Sequence, residues 1–125
     1  MSETVFKPSV VIRLMEEGQK ESKEERERQV IWSIIKYIND NNKTPATLAE
    51  IQRLCWIAFG GKDIIPTGQG LRELAEGLCK SGYASKIDNN AYNPAYVALP
   101  SAELENKSVV RNTIKLLEAL SARRK

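Results

Sequence analysis

The chain has 125 residues, of which 42% are hydrophobic and 28% charged, with a formal net charge of +3 and no histidine. This length and composition predict one globular domain with a hydrophobic core, and we expect a soluble, cytoplasmic protein. Without histidine, Ser-His-Asp triads, imidazole general bases and histidine-containing zinc sites are excluded, so we do not expect an enzyme.

The cysteines indicate neither a metal site nor a disulfide scaffold. Cys55 and Cys79 are the only two, too few for a four-thiolate site. Both lie in segments with the apolar spacing of a helix, which favours their interpretation as small buried core residues. A disulfide between them stays an alternative. No cofactor is predicted. No apolar run reaches the length of a signal peptide or a membrane span, so no membrane partner is expected.

The first predicted elements are an N-terminal arm, residues 1–25, and a longer helix over 25–39. In the arm, Ser9 can cap a helix that starts at Val10. Residues 16–28 interleave acidic and basic side chains, a pattern typical of a solvated helix face. The second helix has an apolar stripe, and the asparagine-rich segment 39–42 is expected to end it. The stripe comprises Val30, Ile31, Ile34, Ile35 and Ile38.

Two further helices and a hairpin follow. Residues 47–50 read Thr-Leu-Ala-Glu, a capping box that predicts a helix over 47–59. A third helix is predicted over 67–81, ending at Gly82. The hydrophobic period then changes to two, which predicts a β-hairpin over 83–99. The large aromatic residues beside the apolar stripes are interpreted as core: Trp32, Trp56 and Phe59.

The last segment, 101–125, predicts a helix that Ser101 can cap. It has six Lys/Arg and three Asp/Glu and so accounts for the net charge of the chain. Its apolar stripe needs a partner, and it can fold back on the domain or pair with a second chain. We predict dimerisation through the stripe positions Val110, Ile114, Leu117 and Leu120.

The order of these elements resembles the winged helix-turn-helix family of DNA-binding domains over residues 26–100. The resemblance implies a mainly α fold with a small β-hairpin wing, in which residues 71–83 are the recognition helix running through Gly82 into the wing. The N-terminal and C-terminal helical extensions are similar to those of PadR-like regulators and of small archaeal, viral and plasmid winged-helix proteins. In one departure, residues 60–66 predict a turn between the two motif helices that is longer than the usual turn of the family, and we expect this length to change the angle of the recognition helix.

The resemblance implies a dimeric, sequence-specific protein that binds double-stranded DNA, most simply a transcriptional regulator associated with the nucleoid. Gln69 suits adenine and Arg72 suits guanine, while Thr67 lies where a helix N-terminus favours phosphate. Lys62 and Lys86 suit flanking phosphates. The full set of candidate DNA-binding residues is Lys62, Thr67, Gln69, Arg72, Glu73, Lys80, Lys86, Tyr92 and Asn93.

Other interpretations stay open at this point. Arg72 can pair with Glu76 as a surface ion pair, and carboxylates at Glu73 and Glu76 repel phosphate. Residues 61–100 are neutral as a whole. The same fold can bind a plasmid or chromosome partition site. It can also serve as a protein-interaction module, whose contact surfaces would be the charged helix 16–28 and the C-terminal stripe.

Overall fold

The computed structural model describes residues 23–59, 69–88 and 92–123, which form a mainly helical fold with a small antiparallel sheet. The helices are α1 (Lys23–Asn42), α2 (Leu48–Phe59), α3 (Gln69–Lys80), α4 (Ala102–Glu105) and α5 (Ser108–Arg123). The strands are β1 (Ala46–Thr47), β2 (Ala84–Asp88) and β3 (Ala95–Ala98). The predicted helix from Ser9 lies outside the described residues. The three central helices and the hairpin are confirmed, with shifts at their ends.

Helix α1 forms the centre of the core. Its predicted stripe is buried, but so is every residue from 29 to 35, because α2, α3, α5 and β3 all contact this helix. Two buried polar groups within it are hydrogen-bonded: Ser33 Oγ donates to the carbonyl of Gln29 at 2.7 Å, and Trp32 Nε1 donates to the carbonyl of Tyr83 at 2.9 Å. A helix that is apolar all round is typical of a central position. Trp32 is fully buried, as predicted.

The asparagine-rich segment 39–42 forms the last turn of α1, so the helix ends at Asn42 and not at residue 39 as predicted. Lys43, with a positive φ of 59°, follows the helix, and its amide donates to the carbonyl of Asn39 at 2.9 Å. The Asn39 side chain joins α1 to the sheet, because its Oδ1 accepts from the amide of Ala98 at 2.8 Å and its Nδ2 donates to the carbonyl of Thr44 at 2.9 Å. Asn39 therefore fixes the position of β3 against the C-terminus of α1.

The capping box of α2 is confirmed. The amide of Glu50 donates to Thr47 Oγ1 at 3.2 Å, and the amide of Thr47 donates to Glu50 Oε1 at 3.0 Å, so each side chain satisfies an amide of the first turn. A further amide at this end, that of Ala49, donates to Asn93 Oδ1 at 2.9 Å. The N-terminus of α2 is therefore capped both by its own sequence and by the segment that leads into β3.

The sheet has the strand order β1-β3-β2, with both pairings antiparallel. β1 was not predicted, since only two residues form it through pairing with Tyr96 and Ala95. Gly82, with φ of 85°, allows the chain to turn from α3 into β2. A register shift between Lys86 and Asp88 marks a bulge in β2. Ile87, which lies between these two residues, is exposed.

The C-terminal segment folds back on its own domain. Ser101 caps α4, as predicted, through a 3.2 Å bond from the amide of Leu104 to its Oγ, but the helix ends at Glu105 and α5 begins at Ser108. α5 lies along α1, so Val110 and Leu117 are each only 1% exposed. These two side chains contact the core of their own chain, which corrects their assignment to a dimer interface. The other two stripe positions, Ile114 and Leu120, are half-buried against the same core.

The remaining core assignments have mixed outcomes. Cys55 is buried, and burial raises the pKa of its thiol to about 12, so it stays protonated at neutral pH. Cys79 is half-buried and also free; burial and the charge of Glu76 raise the pKa of its thiol. Trp56 is 62% exposed, so its assignment to the core is wrong. The side chain of Phe59 lies outside the described residues.

Candidate nucleic-acid interface

Helix α3 has one buried face and one polar face, as its sequence predicted. Leu71 and Ala75 are fully buried, and Leu74 and Leu78 are nearly so. The opposite face carries Glu73 and Lys80, which are exposed, with Arg72 partly exposed beside them. These are three of the predicted DNA-binding residues, and they lie together on one helix. The inner face anchors α3 so that its polar face is turned away from the core.

A network of three side chains connects α3 to the hairpin. Glu76 Oε2 lies 2.8 Å from Lys86 Nζ on β2, and the hydroxyl of Tyr96 on β3 donates to the same oxygen at 2.8 Å. Tyr96 is fully buried, so its hydroxyl needs this acceptor. The network therefore fixes the polar face of α3 relative to both strands of the hairpin.

The charges in this network offset one another. Burial alone raises the pKa of Glu76, but the hydrogen bonds from Lys86 and Tyr96 and the positive charges of Lys86 and Arg72 outweigh it, and the pKa lies below its ordinary value. The pKa of Tyr96 is raised by burial and by its bond to Glu76. Glu76 is therefore an anion paired with Lys86 at neutral pH.

This pairing changes the interpretation of two candidates. Lys86 was predicted to hold a flanking phosphate, but its ammonium already contacts a carboxylate. Arg72 was considered as a direct partner for Glu76; the structure places it close enough for its charge to act on that carboxylate, while Lys86 and Tyr96 make the bonds at Oε2. The repulsion expected between Glu76 and phosphate is correspondingly reduced.

The hairpin end brings two more candidates to the surface. Tyr92 is 93% exposed. Asn93 is half-buried, and its Oδ1 accepts the amide of Ala49, so this side chain has a structural role at the N-terminus of α2. Ile87 on β2 is also exposed, and it lies at the shift in register between Lys86 and Asp88. An exposed apolar and an exposed aromatic residue thus flank the hairpin turn.

Three candidates fall at or beyond the edge of what the structure describes. Lys62 and Thr67 lie outside the described residues, and Gln69 begins α3 with its side chain outside them. On α2, the structure adds an exposed surface that sequence reasoning missed, where Gln52, Arg53 and Trp56 are all exposed. Helical spacing offered a signal, since Trp56 lies on the side of α2 opposite the apolar positions Ile51 and Leu54.

Over residues 23–59, 69–88 and 92–123, no cluster of acidic and cysteine side chains is suited to hold a metal ion. Within the same ranges, no helix is both long and apolar enough to cross a membrane. In comparisons with known proteins, no family model, no curated protein and no solved structure matches this chain.

Proposed function

We propose that this chain is a winged helix-turn-helix protein that binds double-stranded DNA, with α3 as the recognition helix and the β2–β3 hairpin as the wing. The observation that carries the proposal is the bonding of Glu76 to Lys86 and Tyr96. It joins a one-sided amphipathic helix to the hairpin that follows it. A helix and a wing held in one orientation form a preorganised surface, which duplex recognition requires.

The dimensions of α3 suit a major groove. A B-form major groove is roughly 12 Å wide and admits one α-helix, whose N-terminal turns contact the base edges. α3 has 12 residues, with its polar face turned outward. In the proposed complex, Gln69 and Arg72 in the first turn read adenine and guanine. Lys80 in the last turn contacts a phosphate.

Charge supports this arrangement only in part. The charges of Glu76 and Lys86 neutralise each other. The polar face of α3 then carries two positive charges, at Arg72 and Lys80, and one negative charge, at Glu73. Glu73 can accept from a cytosine amino group. Lys62 and Thr67 provide phosphate contacts in the proposal, and Tyr92 at the wing approaches the minor groove.

Transcriptional regulation is the role we propose, and binding to a partition site would use the same surface. As a dimer, the protein would bind an inverted repeat with half-sites about 34 Å apart, one turn of the duplex. Val110 and Leu117 are buried in the core of their own chain, so such a dimer requires other contacts. The half-buried Ile114 and Leu120 are the stripe positions that remain for them.

Selection from a pool of random-sequence duplexes, followed by sequencing of the bound fraction, tests the proposal. We expect a short enriched motif. Arg72→Ala should relax the preference at one base position, whereas Lys80→Ala should weaken all sequences about equally. Lys115→Ala, on the exposed side of α5, is the matched control and should change neither. The absence of any enriched motif would refute sequence-specific recognition.

A second candidate, a protein-interaction module, is favoured by one observation: the 62% exposure of Trp56 on α2. Exposed tryptophan is enriched at the centres of protein interfaces. The neutralised Lys86 also fits a surface that does not bind phosphate. For this candidate, Trp56→Ser should abolish binding to a purified partner and Arg72→Ala should not.

A further inference from the structure

A cavity of about 420 Å³ lies between three helices on the side of the domain formed by the C-terminal part of α1, helix α2 and the C-terminal part of α5. Each helix contributes residues at helical spacing. The apolar part of the lining consists of Ile38, Leu54, Ile57, Leu117 and Leu120. This volume lies within the range of small-molecule sites, which are mostly apolar with a few polar groups.

The polar part of the lining includes one cation, Arg53 on α2, whose side chain is exposed. Among the described residues, Arg53 forms no ion pair. The carboxylate next to it in the lining, Glu50, is engaged in the capping box through the amide and hydroxyl of Thr47. A guanidinium presents five donors in a planar fork that matches a carboxylate.

Two residues of the last turn of α1, Asn41 and Asn42, also line the cavity. The C-terminus of a helix carries a partial negative charge, and the last turn of α1 has no basic residue to offset it. The Asn41 amide group is already bonded to the carbonyl of Tyr37 at 2.9 Å. An anionic group is therefore favoured at Arg53 and disfavoured beside α1.

We propose that this cavity binds an amphipathic organic anion, a carboxylate with an apolar body of about eight to ten carbons, a size suited to a cavity in this range. The carboxylate binds Arg53, and the apolar body lies against Leu54, Ile57 and Leu120. The ligand contacts α1, α2 and α5 together. This inference does not depend on the proposed DNA-contacting surface, because none of the lining residues belongs to α3 or the hairpin. It shares Leu120 with the proposed dimer contact.

The test uses octanoate as the probe, with octan-1-ol and octylammonium as probes of the same length but different charge. Each is titrated into the full chain, with calorimetry for affinity and methyl NMR shifts for location. Octanoate should shift the methyl signals of Leu54, Leu117 and Leu120 and bind about tenfold more tightly than octan-1-ol. Octylammonium should bind more weakly still.

Two variants distinguish recognition of the carboxylate charge from nonspecific hydrophobic binding of the probe. Arg53→Gln should weaken octanoate about tenfold and leave octan-1-ol unchanged, whereas Lys115→Gln, an exposed cation outside the cavity, should alter neither. Since Arg53 is exposed, its replacement does not disturb the core. Any of three results would overturn the proposal: no methyl shift at these leucines, equal binding of octanoate and octan-1-ol, or unchanged octanoate binding by Arg53→Gln.

Discussion

Glu76 on α3 and Lys86 on β2 form an ion pair at 2.8 Å, with the hydroxyl of Tyr96 bonded to the same carboxylate oxygen. The pair joins two elements that are consecutive in the chain but belong to different layers of the fold. It fixes the angle between the outward face of α3 and the hairpin, and it removes the charge of Lys86 from the surface available to an anion.

The first prediction concerns this pair. Glu76→Gln should lower the free energy of unfolding by about 0.5–1 kcal/mol, because both side chains are partly exposed and solvent weakens their attraction. Glu76→Ala should cost more, about 1–3 kcal/mol, since the buried hydroxyl of Tyr96 then loses its acceptor. Urea unfolding at pH 7 measures both, with the exposed Glu118→Gln as the control.

The same pair predicts a pH dependence. The pKa of Glu76 is lowered in the folded protein, so its stabilising contribution is present above the ordinary value of 4.5 and lost as the pH falls through the folded pKa. The difference in stability between wild type and Glu76→Gln should therefore be constant near neutral pH and shrink below pH 4.5. A difference that grew on acidification would contradict this assignment of charge.

Substitutions at Asn93 distinguish a structural role of this side chain from a role in DNA binding. Its Oδ1 caps an amide at the N-terminus of α2, so Asn93→Ala should cost about 1 kcal/mol of stability, within the range for lost helix caps. Asn93→Asp keeps the acceptor and adds a negative charge that suits this helix end. Thermal unfolding should therefore show Asn93→Asp close to wild type. If Asn93→Asp also reduces duplex binding, the side chain lies close to DNA.

Substitution by alanine should change the stability of the fold in opposite directions at two glycines. At Gly77 in α3, the nearest atom to an added Cβ is Cδ of Arg28 at 3.8 Å, an ordinary contact, so Gly77→Ala should stabilise by about 0.5–1 kcal/mol through helix propensity. Gly82 has φ of 85°, so Gly82→Ala should destabilise by about 1 kcal/mol or more, although space is open around it. Denaturant midpoints measure both changes in stability. If the two variants changed stability in the same direction, the backbone conformation described for one of the two glycines would be wrong.

Leu117 tests whether α5 packs on its own chain. Leu117→Ala should lower stability by about 2–5 kcal/mol, the usual cost of a large core truncation. For a side chain buried within one chain, that loss should be the same at low and high protein concentration. A loss that became smaller on dilution would instead place Leu117 at an interface between chains, since association stabilises by mass action only while the chains are associated.

Local sequence signals were enough for some elements. The capping box at Thr47 and Glu50 involves residues three apart, and the inner face of α3 follows from helical spacing alone, so both could be predicted. Exposure of Trp56 also follows from spacing on α2, although tryptophan is highly buried on average. Local rules predict which face of a helix is apolar better than they predict an individual aromatic residue.

Features that depend on contacts distant in sequence could not be predicted. β1 exists only because Ala46 pairs with Tyr96, fifty residues further along the chain. The ion pair of Glu76 with Lys86 depends on how the hairpin folds against α3, whereas sequence spacing offered only Arg72, one helical turn away, as a possible partner. The fold-back of α5 was one of two alternatives for the same apolar stripe, and only the packing against α1 decides between them.

The salt dependence of binding to duplex DNA tests the central claim most directly. For wild type we expect binding at low salt, with the logarithm of the affinity falling linearly with the logarithm of salt concentration. Lys80→Ala should reduce that slope by about one. Lys115→Ala should leave the slope unchanged. No binding of the wild-type chain to any duplex at low salt would contradict the account.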